Sequence, residues 1–144
     1  MQDRSIPLLL KVAHLIRRRH GAVCERFGLT FQQFNVLRIL AGAERQGHSG
    51  LGIMEISARL IEPGAGITRF VHQLQQLGWI ETFRVASDHR RQECRLTLEG
   101  RLKIQEVAPS IAREAEIELM GIDAPEEQHL IRLLTKMYTN CQSD

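Results

Sequence analysis

The most informative polar side chains in this sequence lie on one side of a helix predicted over residues 64–77. They are Thr68, Arg69, His72, Gln73 and Gln76, with Ala65 on the same side. A guanidinium group can donate two hydrogen bonds to guanine in the major groove of duplex DNA, and a glutamine amide can pair with adenine in a similar way. No acidic residue occurs between residues 63 and 80, so this side is basic and rich in amides. The pattern favours a DNA-contacting face over an ordinary solvated helix face.

A second group of cations occupies a polar turn predicted over residues 86–92. Asp88 precedes Arg90 by two residues, a spacing at which its carboxylate is expected to hold the Arg90 guanidinium through a charge-assisted hydrogen bond. An arginine held in this way loses less side-chain entropy when it meets a phosphate or a groove floor. Arg84 and Arg91 add charge to the same ribbon and complete the predicted DNA-binding set. The alternative is a plain polar turn.

Local signals divide the chain into six helices and one hairpin. Thr30 and Gln33 have the spacing of a capping box, as do Asp123 and Glu126, and each pair marks the start of a helix. Pro109 is expected to kink or break the helix in which it lies. The helices are predicted over residues 5–27, 30–46, 53–61, 64–77, 98–120 and 124–141, and the strands over residues 79–85 and 93–97.

The order of these elements predicts the fold class. Two helices joined by a short turn that contains Pro63 and Gly64 form a helix-turn-helix, and the hairpin that follows adds a wing. The predicted fold is mainly α-helical with a small antiparallel β-hairpin wing, a winged helix-turn-helix lobe flanked by other helices. In such a lobe the second helix of the pair can enter the major groove, while the wing reaches the adjacent backbone or minor groove.

Three segments resemble the MarR family (multiple antibiotic resistance regulator) of winged helix-turn-helix transcriptional regulators. They are Leu29-Thr30-x-x-Gln33-Phe34-x-Val36-Leu37-x-x-Leu40, Thr68-Arg69-Phe70-Val71-x-x-Leu74-x-x-x-Gly78-Trp79-Ile80, and Asp88-x-Arg90 followed by Leu96-Thr97-x-x-Gly100. The third segment is the most specific, because many winged helices share the other two. Residues 63–66 depart from the family pattern, since they lack the Ser, Thr or Lys with which the recognition helix usually begins.

The resemblance implies an assembly and a mode of regulation. Residues 30–97 would form the DNA-binding lobe, and residues 1–29 and 98–144 would supply dimerisation helices. The first and last predicted helices carry apolar seams that a lobe of this size does not need for itself, which agrees with a homodimer on a pseudo-palindromic operator. Family members often bind small aromatic effectors, so the resemblance implies a repressor that such an effector releases from DNA. A helical bundle within a monomer is the alternative.

The charge of the chain is unevenly distributed. Its 144 residues carry a net charge of +2. Residues 1–58 hold eight basic and four acidic residues, residues 59–101 hold seven and five, and residues 102–144 hold four and eight. A basic front and an acidic end are consistent with a nucleic-acid face on one side. No apolar run approaches the roughly 18 residues of a bilayer span, and the first residues do not form a secretory signal. We therefore expect a cytoplasmic protein without a membrane partner.

The cysteines and histidines indicate neither a metal site nor a catalytic centre. Cys24, Cys94 and Cys141 form no C-x-x-C pair, no histidine pair has zinc-ligand spacing, and the glycine-rich residues 47–52 lack a phosphate-binding pattern and are interpreted as a plain connector. We expect no cofactor, no metal and no enzymatic activity. One alternative is a redox-responsive regulator in which Arg26 lowers the pKa of the Cys24 thiol. Another is a winged-helix module that binds a protein partner and no DNA.

Overall fold

The computed structural model describes residues 4–64 and 66–143. The chain forms two compact units, one ending at Ile111 and the other beginning at Ala112. The helices are α1 (Ser5–Arg26), α2 (Phe31–Arg45), α3 (Ile53–Arg59), α4 (Ile67–Gln76), α5 (Leu98–Glu118) and α6 (Ala124–Gln142). The strands β1 (Ile80–Val85) and β2 (Asp88–Leu96) form one antiparallel sheet. This arrangement confirms the predicted fold class.

The starts of α2 and α6 confirm the two predicted capping boxes. The Thr30 side chain accepts a hydrogen bond from the backbone N–H of Gln33, and the Gln33 side chain accepts one from the backbone N–H of Thr30. Asp123 and Glu126 make the same reciprocal pair at the start of α6. Each box satisfies two of the backbone donors that a helix leaves without an internal partner.

Three local predictions differ from the structure. α4 begins at Ile67 rather than at residue 64, because Gly66 before it has a φ of +77°, a left-handed conformation outside the helical region. The turn of the hairpin shortens to residues 86–87, since β2 already begins at Asp88. Pro109 lies inside α5 and does not break it.

The core of the first unit joins the helix-turn-helix to the hairpin. Its largest fully buried side chains include Leu37, Leu40, Leu51, Ile56, Leu74 and Leu96. Burial of one such side chain stabilises a fold by about 1.5–3 kcal/mol. Leu51 lies in the predicted connector, yet it pairs with Cys94 of β2 through two backbone hydrogen bonds of 2.8 and 3.0 Å. The connector therefore behaves as a one-residue third strand at the base of the hairpin.

Thr97 ties the base of the hairpin to the start of α5. Its hydroxyl donates to the main-chain oxygen of Gly78 at 2.6 Å and accepts from the backbone N–H of Gly100 at 3.1 Å. Position 100 requires glycine, because a Cβ there would lie 1.9 Å from the main-chain oxygen of Trp79. The first turn of α5 thus rests directly on the backbone that leads into β1.

Large apolar side chains are exposed on α1, α3, α5 and α6, and most of them belong to α1 and α6. In the first unit, α1 contributes Val23 and Cys24 to the buried residues near its C-terminal end. Its N-terminal half exposes Ile6, Leu8, Leu10, Val12 and Leu15. In the second unit, no described residue of α6 is buried, and its exposed apolar side chains are Leu130, Ile131, Leu133, Leu134 and Tyr138. None of the helices in the described ranges is both long and apolar enough to cross a membrane.

Candidate nucleic-acid interface

The turn between α3 and α4 is held by a side chain of α3. The hydroxyl of Ser57, a buried residue, accepts a hydrogen bond from the backbone N–H of Gly64 at 3.2 Å. Gly66 then leads the chain into α4 through its left-handed φ. The Ser57 hydroxyl therefore anchors the turn that leads into α4.

The outward side of α4 carries four of its five predicted contact residues. Those exposed are Thr68, Arg69, His72 and Gln76, whereas Ala65, predicted on the same side, lies outside the described residues. The opposite side of α4 is buried in the core. The Arg69 guanidinium lies 5.3 Å from the centroid of the Phe70 ring. Such a cation–π contact does not consume the N–H donors of the guanidinium, so they remain available to a ligand.

Gln73, the fifth predicted contact on α4, is half-buried and has a partner inside the lobe. Its Oε1 accepts a hydrogen bond of 2.9 Å from Nε2 of Gln33, which is itself only 8% exposed. The Gln73 amide, which the sequence predicts to pair with adenine, therefore already accepts a hydrogen bond through its oxygen. The Gln73 NH2 group retains both of its donors.

The tip of the wing contains a bulge of three residues. The strand register jumps between Arg84 and Val85, so residues 89–91 have no partner on β1. Arg84 Nη1 donates a hydrogen bond of 2.7 Å to the main-chain oxygen of His89, within this bulge. The guanidinium thus satisfies a carbonyl group that the strand ladder leaves unpaired, and it fixes the shape of the tip.

Asp88 and Arg90 are in contact, but through a different donor from the one predicted. Asp88 Oδ1 accepts from the backbone N–H of Arg90 at 3.1 Å, not from its guanidinium. The prediction was wrong because a short aspartate side chain readily bonds the backbone two residues on, as in an Asx turn. The Arg90 side chain is exposed, and no described carboxylate forms an ion pair with it.

Arg91 is engaged inside the lobe. Its Nη2 forms an ion pair with Glu55 of α3 and a second pair, at 3.2 Å, with the buried residue Glu93. Two carboxylates already balance its charge, so the geometry favours Arg91 least among the predicted DNA contacts. Its observed role is to tie the wing to α3.

The seven arginines of residues 59–101 fall into two groups. Arg91, Arg95 and Arg101 pair with Glu55, Glu81 and Glu44, respectively. The four without a carboxylate partner among the described residues are Arg59, Arg69, Arg84 and Arg90. Arg69 and Arg90 belong, with Thr68, His72 and Gln76, to what we term the α4–wing surface. Unpaired positive charge is the feature that attracts a phosphate backbone.

Cys24 does not fit the redox hypothesis that the sequence suggested for it. Cys24 is fully buried, and burial raises the pKa of its thiol from 9.0 to about 11. The expectation that Arg26 lowers this pKa was wrong, because the cost of desolvating a thiolate dominates. Burial also raises the pKa of Cys94, whereas Cys141 is exposed. Within the described ranges, no group of three or more His, Cys, Asp or Glu residues could hold a metal ion.

Comparison with solved structures is the observation that decides the fold family. Neither protein-family models nor curated proteins match the sequence. The structure, however, matches a MarR-family transcriptional regulator from Silicibacter pomeroyi with a TM-score of 0.79 and 19% identity, over 98% of this chain and 92% of that chain. The chain has the MarR fold.

Two further proteins share this MarR fold. S. aureus MepR, solved as a complex with DNA, matches with a TM-score of 0.82 and 20% identity over 94% of each chain. BpsR of Bordetella bronchiseptica, whose DNA binding is regulated by 6-hydroxynicotinic acid, matches with a TM-score of 0.80 and 18% identity. That match covers 99% of this chain and 96% of BpsR. The MarR fold therefore accounts for nearly the whole chain, including the helices on either side of the lobe.

Sequence reasoning missed two contacts that shape this side of the MarR fold. Glu55 was not a candidate, because it is 36 residues from Arg91 and no local pattern links them. Gln33 was recognised only as part of a helix cap. Its amide also donates to Gln73, a contact that depends on how α2 and α4 pack and that no local pattern indicates.

Proposed function

We propose that this chain is a sequence-specific, duplex-DNA-binding transcriptional regulator. The observation that carries the proposal is the α4–wing surface, where Arg69 and Arg90 are exposed without a carboxylate partner among the described residues. MepR supports the proposal, because it has the same fold and was solved with DNA.

Each part of the α4–wing surface has a distinct role in this proposal. α4 enters the major groove, where Arg69 donates to guanine and Gln76 pairs with adenine. Thr68 and His72 lie on the same side and contact phosphate oxygens. The wing meets the adjacent backbone or minor groove through Arg90. Arg84 shapes the tip that presents Arg90, and it does not need to touch DNA itself.

We further propose that the regulator works as a homodimer. The exposed apolar side chains of α1 and of α6 support this, because monomeric proteins rarely expose extended apolar stripes. A second copy is the favoured occupant, since a two-fold dimer presents two recognition helices to a pseudo-palindromic operator. In sedimentation velocity, the wild type should be a dimer and Leu133→Glu should shift it towards monomers. A wild type that remains monomeric at micromolar concentration contradicts this part.

The same proposal includes release of DNA by a small aromatic acid. An open cavity of about 530 Å³ lies beside α1 and the start of α2, and its lining includes His14, Arg18, Glu25 and Phe31 together with Arg17, which pairs with Glu62. A guanidinium such as that of Arg18 next to an aromatic ring suits an aromatic carboxylate, and BpsR is regulated by a compound of that class. Binding there would shift the population of lobe positions away from the DNA-bound one, giving a repressor that its effector inactivates.

Binding to a duplex from upstream of the protein's own coding sequence tests the proposal. Fluorescence anisotropy across a salt series should show affinity that falls steeply with salt, as counterion release requires. Arg69→Ala should reduce discrimination between operator and random duplex by about 1–3 kcal/mol. Arg113→Ala, which removes an exposed arginine of α5, is the matched control and should leave discrimination unchanged. The absence of binding to upstream or random duplexes at low salt contradicts the proposal.

A winged-helix module that binds a protein and no DNA is the second candidate. The internal pairing of Arg91, Arg95 and Arg101 favours it, because these pairs reduce the charge available to phosphates. Capture of a protein partner that is insensitive to salt, together with no binding to duplex DNA, would support this candidate.

A further inference from the structure

A chain of hydrogen bonds runs from the backbone at the start of α2 to the recognition helix. The backbone N–H of Thr30 donates to Gln33 Oε1 at 3.0 Å. A backbone N–H can only donate, so this bond determines which end of the Gln33 amide faces Thr30. The Gln33 NH2 group must then point the other way, towards α4.

The second bond transmits this orientation to Gln73. Gln33 Nε2 donates to Gln73 Oε1 at 2.9 Å, and the two residues are 40 positions apart in sequence. Gln33 is buried, so the bond is shielded from competing water. The Gln73 oxygen therefore faces the interior of the lobe, and its two N–H donors have no partner among the described residues.

We propose that Gln33 is a specificity-determining residue, because it turns Gln73 into a side chain that recognises only hydrogen-bond acceptors in the major groove. The inference rests on the proposed DNA-binding function and deepens it. A free glutamine amide pairs with adenine by donating to N7 and accepting from the amino group. With its oxygen turned inward, Gln73 loses the accepting half of that pair.

The consequence is a defined base preference at one position of each half-site. Guanine offers two acceptors in the major groove and thymine offers one, whereas cytosine presents only an amino donor and adenine presents an amino donor beside its N7 acceptor. Gln73 should therefore select guanine or thymine over cytosine, and guanine over adenine, at the position it contacts.

Gln33→Glu is the decisive variant. A glutamate at this position of a capping box still accepts from the Thr30 N–H, so the start of α2 is preserved. A carboxylate cannot donate, however, and the Gln73 amide must rotate so that its NH2 group faces the new side chain. The Gln73 oxygen then points outward and accepts hydrogen bonds. The preference should move to adenine or cytosine.

Gln32→Glu is the matched control. It adds the same charge one residue away on α2, and no described contact joins Gln32 to Gln73. Gln33→Met tests the same contact without a change of charge. It removes the Gln33 N–H donor, so the Gln73 amide becomes free to pair with adenine as well as guanine. Thermal unfolding of each variant identifies any that does not fold.

The experiment selects duplexes from a randomised pool with the wild type and each variant at one salt concentration. Gln33→Glu should change the base preference at one position per half-site by about tenfold, with the other positions unchanged. Gln33→Met should abolish the preference of guanine over adenine there, and Gln32→Glu should retain the wild-type preference. If Gln33→Glu and Gln33→Met both select the wild-type sequence, the inference is overturned while the proposed function stands. A wild type that enriches no sequence overturns both.

Discussion

Arg84 Nη1 donates a hydrogen bond to the main-chain oxygen of His89 across the wing-tip bulge, over a distance of 2.7 Å. The bond connects a side chain of β1 to the one part of β2 that has no strand partner. Arg84 thus supports the segment that carries the exposed Arg90 side chain. Two arginines of the tip, Arg84 and Arg90, should therefore respond differently to substitution.

Arg90→Ala should weaken DNA binding on every sequence and lower the slope of log affinity against log salt by about 1, because one phosphate contact is lost. Arg84→Ala should also weaken binding, but through a mobile tip. Its signature is faster amide hydrogen exchange at residues 88–91, with the salt slope largely retained. Both slopes are measured by titration at several salt concentrations. Equal slope changes in the two variants would contradict the division of roles.

Arg91→Ala should reduce stability more than DNA affinity. Its guanidinium pairs with Glu55 and with Glu93, and loss of the pairs leaves two carboxylates close together. We expect the free energy of unfolding to fall by about 0.5–1 kcal/mol, as for a partly exposed ion pair, with DNA affinity within about twofold of wild type. Chemical denaturation and anisotropy provide the two measurements. A large loss of affinity at unchanged stability would instead identify Arg91 as a direct DNA contact.

Gly100→Ala should be strongly destabilising. The added Cβ would lie 1.9 Å from the Trp79 main-chain oxygen, so either α5 or the start of β1 must move. A cost of about 3 kcal/mol is typical of forced overpacking, and it lowers Tm by roughly 10 °C in a chain of this size. Gly21→Ala in α1 is the control, because nothing lies within 4 Å of the new Cβ. The free energy of unfolding of that variant should rise by up to about 1 kcal/mol, because alanine has the higher helix propensity. Calorimetry should therefore give Gly100→Ala a lower Tm than the wild type and Gly21→Ala an equal or higher Tm.

Stability should fall between pH 9 and 11 because of the buried Cys24 thiol. Burial raises its pKa from 9.0 to about 11, so in this range the unfolded chain releases a proton that the folded chain retains. Rising pH then favours the unfolded state, with a loss on the order of 2 kcal/mol across the window. Denaturation of wild type and Cys24→Ala at pH 8, 9, 10 and 11 compares the slopes. Parallel curves for the two proteins would rule out Cys24 as the source.

Much of the fold could be predicted from the sequence because its signals are local. The capping pairs Thr30–Gln33 and Asp123–Glu126 each lie within one helical turn, and both form as predicted. The start of α4 was misplaced for a local reason as well. The sequence places the turn at Pro63 and Gly64, but the left-handed conformation that ends the turn belongs to Gly66.

The site was less predictable because its supporting contacts are distant in sequence. Helical periodicity correctly placed Arg69 on the exposed side of α4. No periodicity could indicate that Gln73 meets Gln33, or that Arg91 is neutralised by Glu55. Such pairings depend on how separate elements pack, and a single sequence carries no record of that packing.

The wing-tip bulge also bears on how the protein avoids self-association through its sheet. A two-stranded ribbon has open edges, and a flat open edge can pair with a strand of another chain. Here the bulge interrupts β2 over residues 89–91, and Leu51 occupies the β2 edge at Cys94. Few backbone groups of β2 remain in an unbroken row that could pair with an added strand. The bulge and Leu51 therefore limit the addition of a strand at the β2 edge of the wing.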